Sequence, residues 1–244
     1  MSPAFVTVLG RRLEVLRIPG ASADAPTLVF LHEGLGSVSM WRDFPSRAAQ
    51  ATGCPAVVYS RAGYGDSDAA ALPRPVRYMH DEALETLPRL LDALGVREPV
   101  LVGHSDGGSI ALVYAGARDA YTAALGAPRG VVAMAPHVFV EDVSVESIAR
   151  AKVAFETTDL RERLARHHAD AESAFRGWND VWLHPDFRAW NIEEVLPLIT
   201  CPVLAIQGFD DEYGTMAQID AVVRQVSGPV EALARFVARL DDGA

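Results

Sequence analysis

The chain has 244 residues, half of them hydrophobic, with 22 basic against 32 acidic side chains and a formal net charge of −10. That length suits one domain with a large core, and the acidic balance argues against nucleic acid or an anionic membrane as partner. The first seven residues lack the basic-then-apolar order of a secretory signal, and no apolar run reaches the length of a membrane span, so a cytoplasmic location is expected. Cys54 and Cys201 each precede a proline at the start of a predicted strand. They read as buried thiols in a reducing compartment, not as a disulfide or a metal site.

Residues 5–9 and 13–18 alternate around Gly10-Arg11-Arg12 and predict an antiparallel hairpin. Residues 27–31 and 56–59 are continuous apolar runs, the pattern of strands buried on both faces. A helical pattern spans 39–51, with Trp41, Phe44 and Ala48 on one face. Another spans 79–94, with Leu84, Leu87, Leu91 and Leu94 on its inner side. Strands are predicted at 100–102, 131–135 and 202–206, and helices at 110–117 and 216–226. Strands alternating with helices predict a parallel sheet with helices on both faces.

From about 139 to 196 the pattern changes to four successive helical segments, near 144–156, 160–169, 171–183 and 187–196. This block holds three of the four tryptophans, Trp178, Trp182 and Trp190. It reads as a helical lid (139–196) inserted in a core domain formed by 1–138 and 197–244. The simplest role for its aromatics is to hold the lid together.

One stretch organises the whole. The apolar run before Gly103 leads into Gly103-His104-Ser105-Asp106-Gly107, and a helical pattern follows at once. Gly-x-Ser-x-Gly between a strand and a helix is the sequence of a nucleophile elbow. The turn strains the serine backbone and lifts its hydroxyl to a helix N-terminus, where developing negative charge is favoured.

Three further segments stand in a matching order. Leu31-His32-Glu33-Gly34-Leu35-Gly36-Ser37 is similar to a His-Gly-x-x-Gly loop, with Glu33 in place of the first glycine. Arg61-Ala62-Gly63-Tyr64-Gly65-Asp66-Ser67 is similar to Arg-Gly-x-Gly-x-Ser, and Gly208-Phe209-Asp210-Asp211 to a Gly-x-x-Asp turn. By these motifs the chain resembles the α/β-hydrolase family over nearly its whole length, in particular its lidded esterases, enol-lactonases and carbon–carbon bond hydrolases. The resemblance implies an α/β-hydrolase fold and acyl transfer to Ser105. Asp211 would be the acid, with Asp210 as runner-up, and the backbone N–H groups of Gly34 and Asp106 the oxyanion hole. No cofactor or metal is implied, and the expected partner is a small-molecule ester, lactone or related carbonyl compound.

The family order of Ser, acid, His breaks here, because no histidine follows His184. The predicted helix ending near Val226 runs through Ser227-Gly228 into residues 229–240, whose Leu233, Phe236, Val237 and Leu240 have helical spacing. The eighth strand and its histidine loop therefore read as missing. Among the seven histidines, His137 is the candidate substitute base, since it follows the 131–135 strand at the carboxyl end of the sheet. His32 lies in the oxyanion loop, and His104 is taken as an inward-pointing neighbour of Ser105. His80, His167, His168 and His184 fall at a helix start or in the lid, and for these a structural role is expected. Two functions stand: a hydrolase impaired by the incomplete triad, or a binding protein that keeps the pocket without turnover. A missing eighth strand would also leave residues 203–206 as an apolar unpaired edge, a template for self-association.

Overall fold

The structure, a computed structural model, describes residues 3–22, 25–117 and 120–232. Strands β1 (Ala4–Val8), β2 (Arg11–Ile18), β3 (Leu28–Leu31), β4 (Ala56–Tyr59), β5 (Val100–His104), β6 (Gly130–Met134), β7 (Val203–Ile206) and β8 (Val230–Ala232) form one sheet. Its order is β1-β2-β4-β3-β5-β6-β7-β8. The first two pairings are antiparallel and the remaining five parallel. All four residues of β3 and of β4 are buried, as their unbroken apolar runs require. The chain steps outward from β3 to β4 and then returns to β5 on the other side of β3. The strand order thus reverses between β3 and β5, and the crevice beyond their carboxyl ends is where a doubly wound sheet binds ligands.

The helices are α1 (Phe44–Thr52), α2 (Tyr78–Asp81), α3 (Leu87–Leu94), α4 (Asp106–Gly116), α5 (Ala120–Ala124), α6 (Asp142–Thr157), α7 (Leu160–Leu164), α8 (Ala171–Trp182) and α9 (Met216–Gln225). Several differ from the periodicity reading. The predicted 39–51 helix is a 3₁₀ turn, Ser39–Trp41, and then α1, broken where Arg42 takes a positive φ of 52°. The 79–94 helix is split by a π turn, Glu82–Thr86, between α2 and α3. Pro88 explains the widening, for it has no N–H to give the carbonyl four residues back and its ring crowds that carbonyl. The fourth lid segment is two 3₁₀ turns, Pro185–Ala189 and Glu193–Leu198, and Asn191 between them bridges Phe139.

The helical segment between β6 and β7 is held by an aromatic cluster. Phe155 of α6 stacks on Phe175 of α8 with ring centroids 3.9 Å apart, and Phe187 stacks on Trp190 at 5.6 Å. Asp170 caps α8 by accepting the Ser173 N–H at 3.0 Å.

The eighth strand is not missing. Val230, Glu231 and Ala232 pair in parallel with Val203, Leu204 and Ala205, so residues 229–232 do not start a helix. The helical spacing of 233–240 lies outside the described residues. A strand needs only a partner of matching register, and three residues with alternating exposure supply it. The expected open edge on β7 is thereby paired over three of its four residues, and β8 becomes the outer strand of the sheet. Cys54 is buried, but Cys201 is only half-buried. Among the described residues, no helix is long and apolar enough to cross a membrane.

Candidate active site

Ser105 sits between β5 and α4 with φ 52° and ψ −119°, a strained backbone for a residue with a side chain. Its N–H donates to the Met134 carbonyl at 2.8 Å, tying the turn to β6. A Cβ on Gly107 would lie 2.0 Å from the Leu31 carbonyl oxygen, so only glycine lets α4 start this close to β3. Helix α4 begins at Asp106, directly after Ser105 as the helical pattern there predicts, and every residue in it is buried.

The cavity above Ser105 has a volume of about 180 Å³ and gathers residues from four strand ends and one helix. Glu33 and Gly34 come from the loop after β3, His104 and Ser105 from β5 and its turn, and His137 from the loop after β6. Asp211 follows β7, and Trp178 of α8 closes the top. Every sequence-predicted site residue except Asp106 lines this space. Asp211 is half-buried and accepts the Tyr213 N–H at 2.8 Å, whereas its runner-up Asp210 is exposed. A larger cleft of about 410 Å³ lies elsewhere, among His80, Leu84, Val113 and Val195, and contains no residue of the elbow.

Asp106 contributes from below. Its side chain is fully buried, accepting a 2.6 Å hydrogen bond from the Tyr78 hydroxyl and lying 3.7 Å from Arg61. The Tyr78 oxygen in turn accepts the Trp182 indole N–H at 3.0 Å, joining the elbow to α8. His137 is also buried. The Ser109 hydroxyl accepts its N–H at 3.0 Å and donates to its carbonyl at 2.7 Å, and its ring meets the Trp182 ring edge-on at 4.7 Å. Burial lowers the His137 pKa, against the opposing pull of Asp106, Asp211 and Glu141. Its Nδ1 has no hydrogen-bond partner among the described residues.

The other histidines separate clearly. His32 is a satisfied core residue: Nδ1 donates to the Glu33 carbonyl at 2.7 Å and Nε2 accepts the Arg61 N–H at 3.1 Å. Burial, then Arg61, keeps it neutral. His168, between α7 and α8, ties that segment to the loops after β3 and β4, accepting from Gly65 N–H at 3.0 Å and donating to the Leu35 carbonyl at 2.9 Å. His167 reaches the Ser39 hydroxyl, and His184 caps the Pro185–Ala189 turn.

His104 corrects the sequence reading. Its side chain is not turned inward but 45% exposed, lines the cavity, and sets Nδ1 3.6 Å from Glu33 Oε2. Glu33 is held below the usual carboxylate range: burial alone would raise it, but His104, a backbone N–H and Arg61 more than offset that. The pairing was signalled in the sequence only by Glu33 standing where the loop motif has glycine.

Comparison with known proteins agrees with this architecture. The family described as alpha/beta hydrolase fold matches residues 26–191. A proline iminopeptidase of Lactobacillus helveticus is 32% identical over 100 residues, 40% of this chain but only 33% of the relative. The chain therefore matches about a third of the length of that curated relative. Among solved structures, an enol-lactonase from Burkholderia xenovorans superposes with a TM-score of 0.68 at 22% identity, covering 94% of this chain and 90% of that one. A haloalkane dehalogenase from Bradyrhizobium elkani gives 0.71 at 20% identity, covering 95% and 88%. Such distant likenesses, to proteins named for different reactions, speak for the fold alone. With the family match running from before β3 to residue 191, and the strand–Ser105–helix turn at the carboxyl end of an eight-stranded sheet, the chain belongs to the alpha/beta hydrolase fold family.

Proposed function

We propose that the protein is a serine hydrolase acting on a small ester, lactone or related carbonyl compound. The observation that carries this reading is Ser105 itself, a non-glycine residue held at φ 52° at the floor of a cavity. Backbone strain of this kind persists only where the surroundings enforce it, and here it presents a hydroxyl at a helix N-terminus. In the proposed reaction the Ser105 oxygen attacks the carbonyl carbon, and the backbone N–H groups of Gly34 and Asp106 receive the oxyanion. Water then hydrolyses the acyl-enzyme. Asp211 supplies a carboxylate to the cavity, and His137 is the imidazole that the sequence singled out as proton acceptor. The cavity of about 180 Å³ suits a small acyl group better than a polymer.

The test is turnover of p-nitrophenyl acetate by the wild-type chain against Ser105→Ala. Loss of turnover in the variant is expected, and equal rates would overturn the reading. The absence of any histidine after His184 supports a second reading, ligand binding without turnover. It predicts no Ser105-dependent hydrolysis, because losing the triad histidine costs on the order of 10⁶ in kcat in a serine protease.

A further inference from the structure

The cavity contains a carboxylate–imidazole pair that the family motif does not supply. Glu33 replaces the first glycine of the oxyanion loop, and its Oε2 lies 3.6 Å from Nδ1 of His104, the residue before Ser105. The loop is shaped for this acid: a Cβ on Gly36 would stand 2.4 Å from Glu33 Oε2. Behind it, the Glu33 carbonyl accepts from Arg61 Nη2 at 2.9 Å and from His32, which fixes the backbone carrying the carboxylate. With Nδ1 turned to Glu33, Nε2 of His104 has no hydrogen bond among the described residues. The Ser105 hydroxyl has none either.

We infer that His104, oriented by Glu33, accepts the proton of Ser105 in this chain, in place of the histidine that the family carries after its acid. This rests on the serine-hydrolase reading above. The Ser105 O–H proton passes to His104 Nε2, directly or through one water, as the Oγ–carbon bond forms and the carbonyl π pair moves onto oxygen. When the tetrahedral intermediate collapses, the bond to the leaving oxygen breaks and that oxygen takes the proton from Nε2. Water repeats the sequence to release the acid.

Two comparisons favour His104 over His137. The ring of His137 is buried against Trp182, so forming an imidazolium there bears a desolvation cost, whereas His104 is half-exposed and already faces an anion. The second concerns charge. Glu33 adjoins Gly34, a proposed oxyanion donor, and an uncompensated carboxylate there opposes a developing oxyanion. A proton arriving on His104 in the same step cancels that charge when the oxyanion appears. The other charged and titratable groups around the pair are His137 after β6, Asp211 and Tyr213 after β7, and Arg61 and His168 on the side of Glu33. Glu33 is therefore a positioning residue and His104 a catalytic one.

The experiment is the rate of Ser105 labelling by a fluorescent fluorophosphonate ester across pH 5–9. It compares wild type, Ser105→Ala, His104→Ala, His137→Ala, Glu33→Gln and Glu33→Asp, with circular dichroism confirming that each is folded. Positioned general bases contribute about 10²–10⁴-fold. His104→Ala should lose at least about 100-fold, and at least about tenfold more than His137→Ala. Glu33→Gln keeps the size of the side chain but removes the anion beside Nδ1, so labelling should fall about tenfold, and Glu33→Asp, which restores the charge, should recover part of that loss. Wild-type labelling by His104→Ala, a larger loss in His137→Ala, or no difference between Glu33→Gln and Glu33→Asp would each overturn the proposal while the hydrolase reading stands. If the wild type is not labelled at Ser105, the hydrolase reading itself falls, and this assignment with it.

Discussion

Asp106→Ala is the most informative single perturbation, because it tests whether the elbow's second residue is held by charge as well as by backbone. The variant keeps the backbone N–H proposed for the oxyanion hole and removes a carboxylate with no solvent exposure. Tyr78 loses its 2.6 Å acceptor, and hydrogen bonds to charged groups contribute about 1.5–3 kcal/mol. Arg61, itself buried, loses the anion 3.7 Å away and keeps the Glu33 carbonyl. Glu82 also acts on Arg61, but burial raises the Glu82 pKa and its carboxylate already accepts from the Tyr59 hydroxyl at 2.8 Å, so it compensates only in part. Removing one partner of a buried pair typically costs about 3–5 kcal/mol, and the two losses here fall in that range. For a chain of this size that lowers the melting midpoint by about 6–20 °C. Urea titration followed by tryptophan fluorescence gives the free energy, and Asp106→Asn, which keeps an acceptor for Tyr78, should lose roughly half as much. A loss below about 1 kcal/mol in Asp106→Ala would refute the view that this buried network holds the elbow.

Acid should destabilise the fold in a window set by buried imidazoles. The pKa values of His32 and His137 are lowered by burial, so the unfolded chain takes up protons first as pH falls below about 6.5. Each then removes up to about 1.4 kcal/mol per pH unit, and thermal melts at pH 7, 6 and 5 should show a steady fall; a flat midpoint would contradict the neutral assignment. Gly107→Ala puts a methyl group 2.0 Å from a backbone oxygen of β3, so it should cost about 1–3 kcal/mol or more in urea titration and slow Ser105 labelling together. Trp182→Phe keeps most of the packing but deletes the N–H given to Tyr78, and a loss of about 1 kcal/mol is expected from the same titration.

The strands buried on both faces and the elbow were legible in the chain because each rests on local chemistry. An apolar run suits a central parallel strand, and glycines at 103 and 107 mark where backbone must pass close to backbone. The family motifs pointed to Ser105, Asp211 and Gly34, and a place just after the 131–135 strand pointed to His137; all four line one cavity because each sits at the carboxyl end of a strand. Other features needed the folded chain. Pro88 opens a π turn only in the helix that packs beside α4, and Val230–Ala232 becomes a strand only because β7 offers a matching edge, although its residues continue a helical spacing. His104 looked inward from its position at the end of a strand, yet its ring lines the cavity and faces Glu33. That pairing joins residues 33 and 104, which periodicity cannot relate. It exists because the strand order reverses between β3 and β5, setting the two loops that carry these residues side by side.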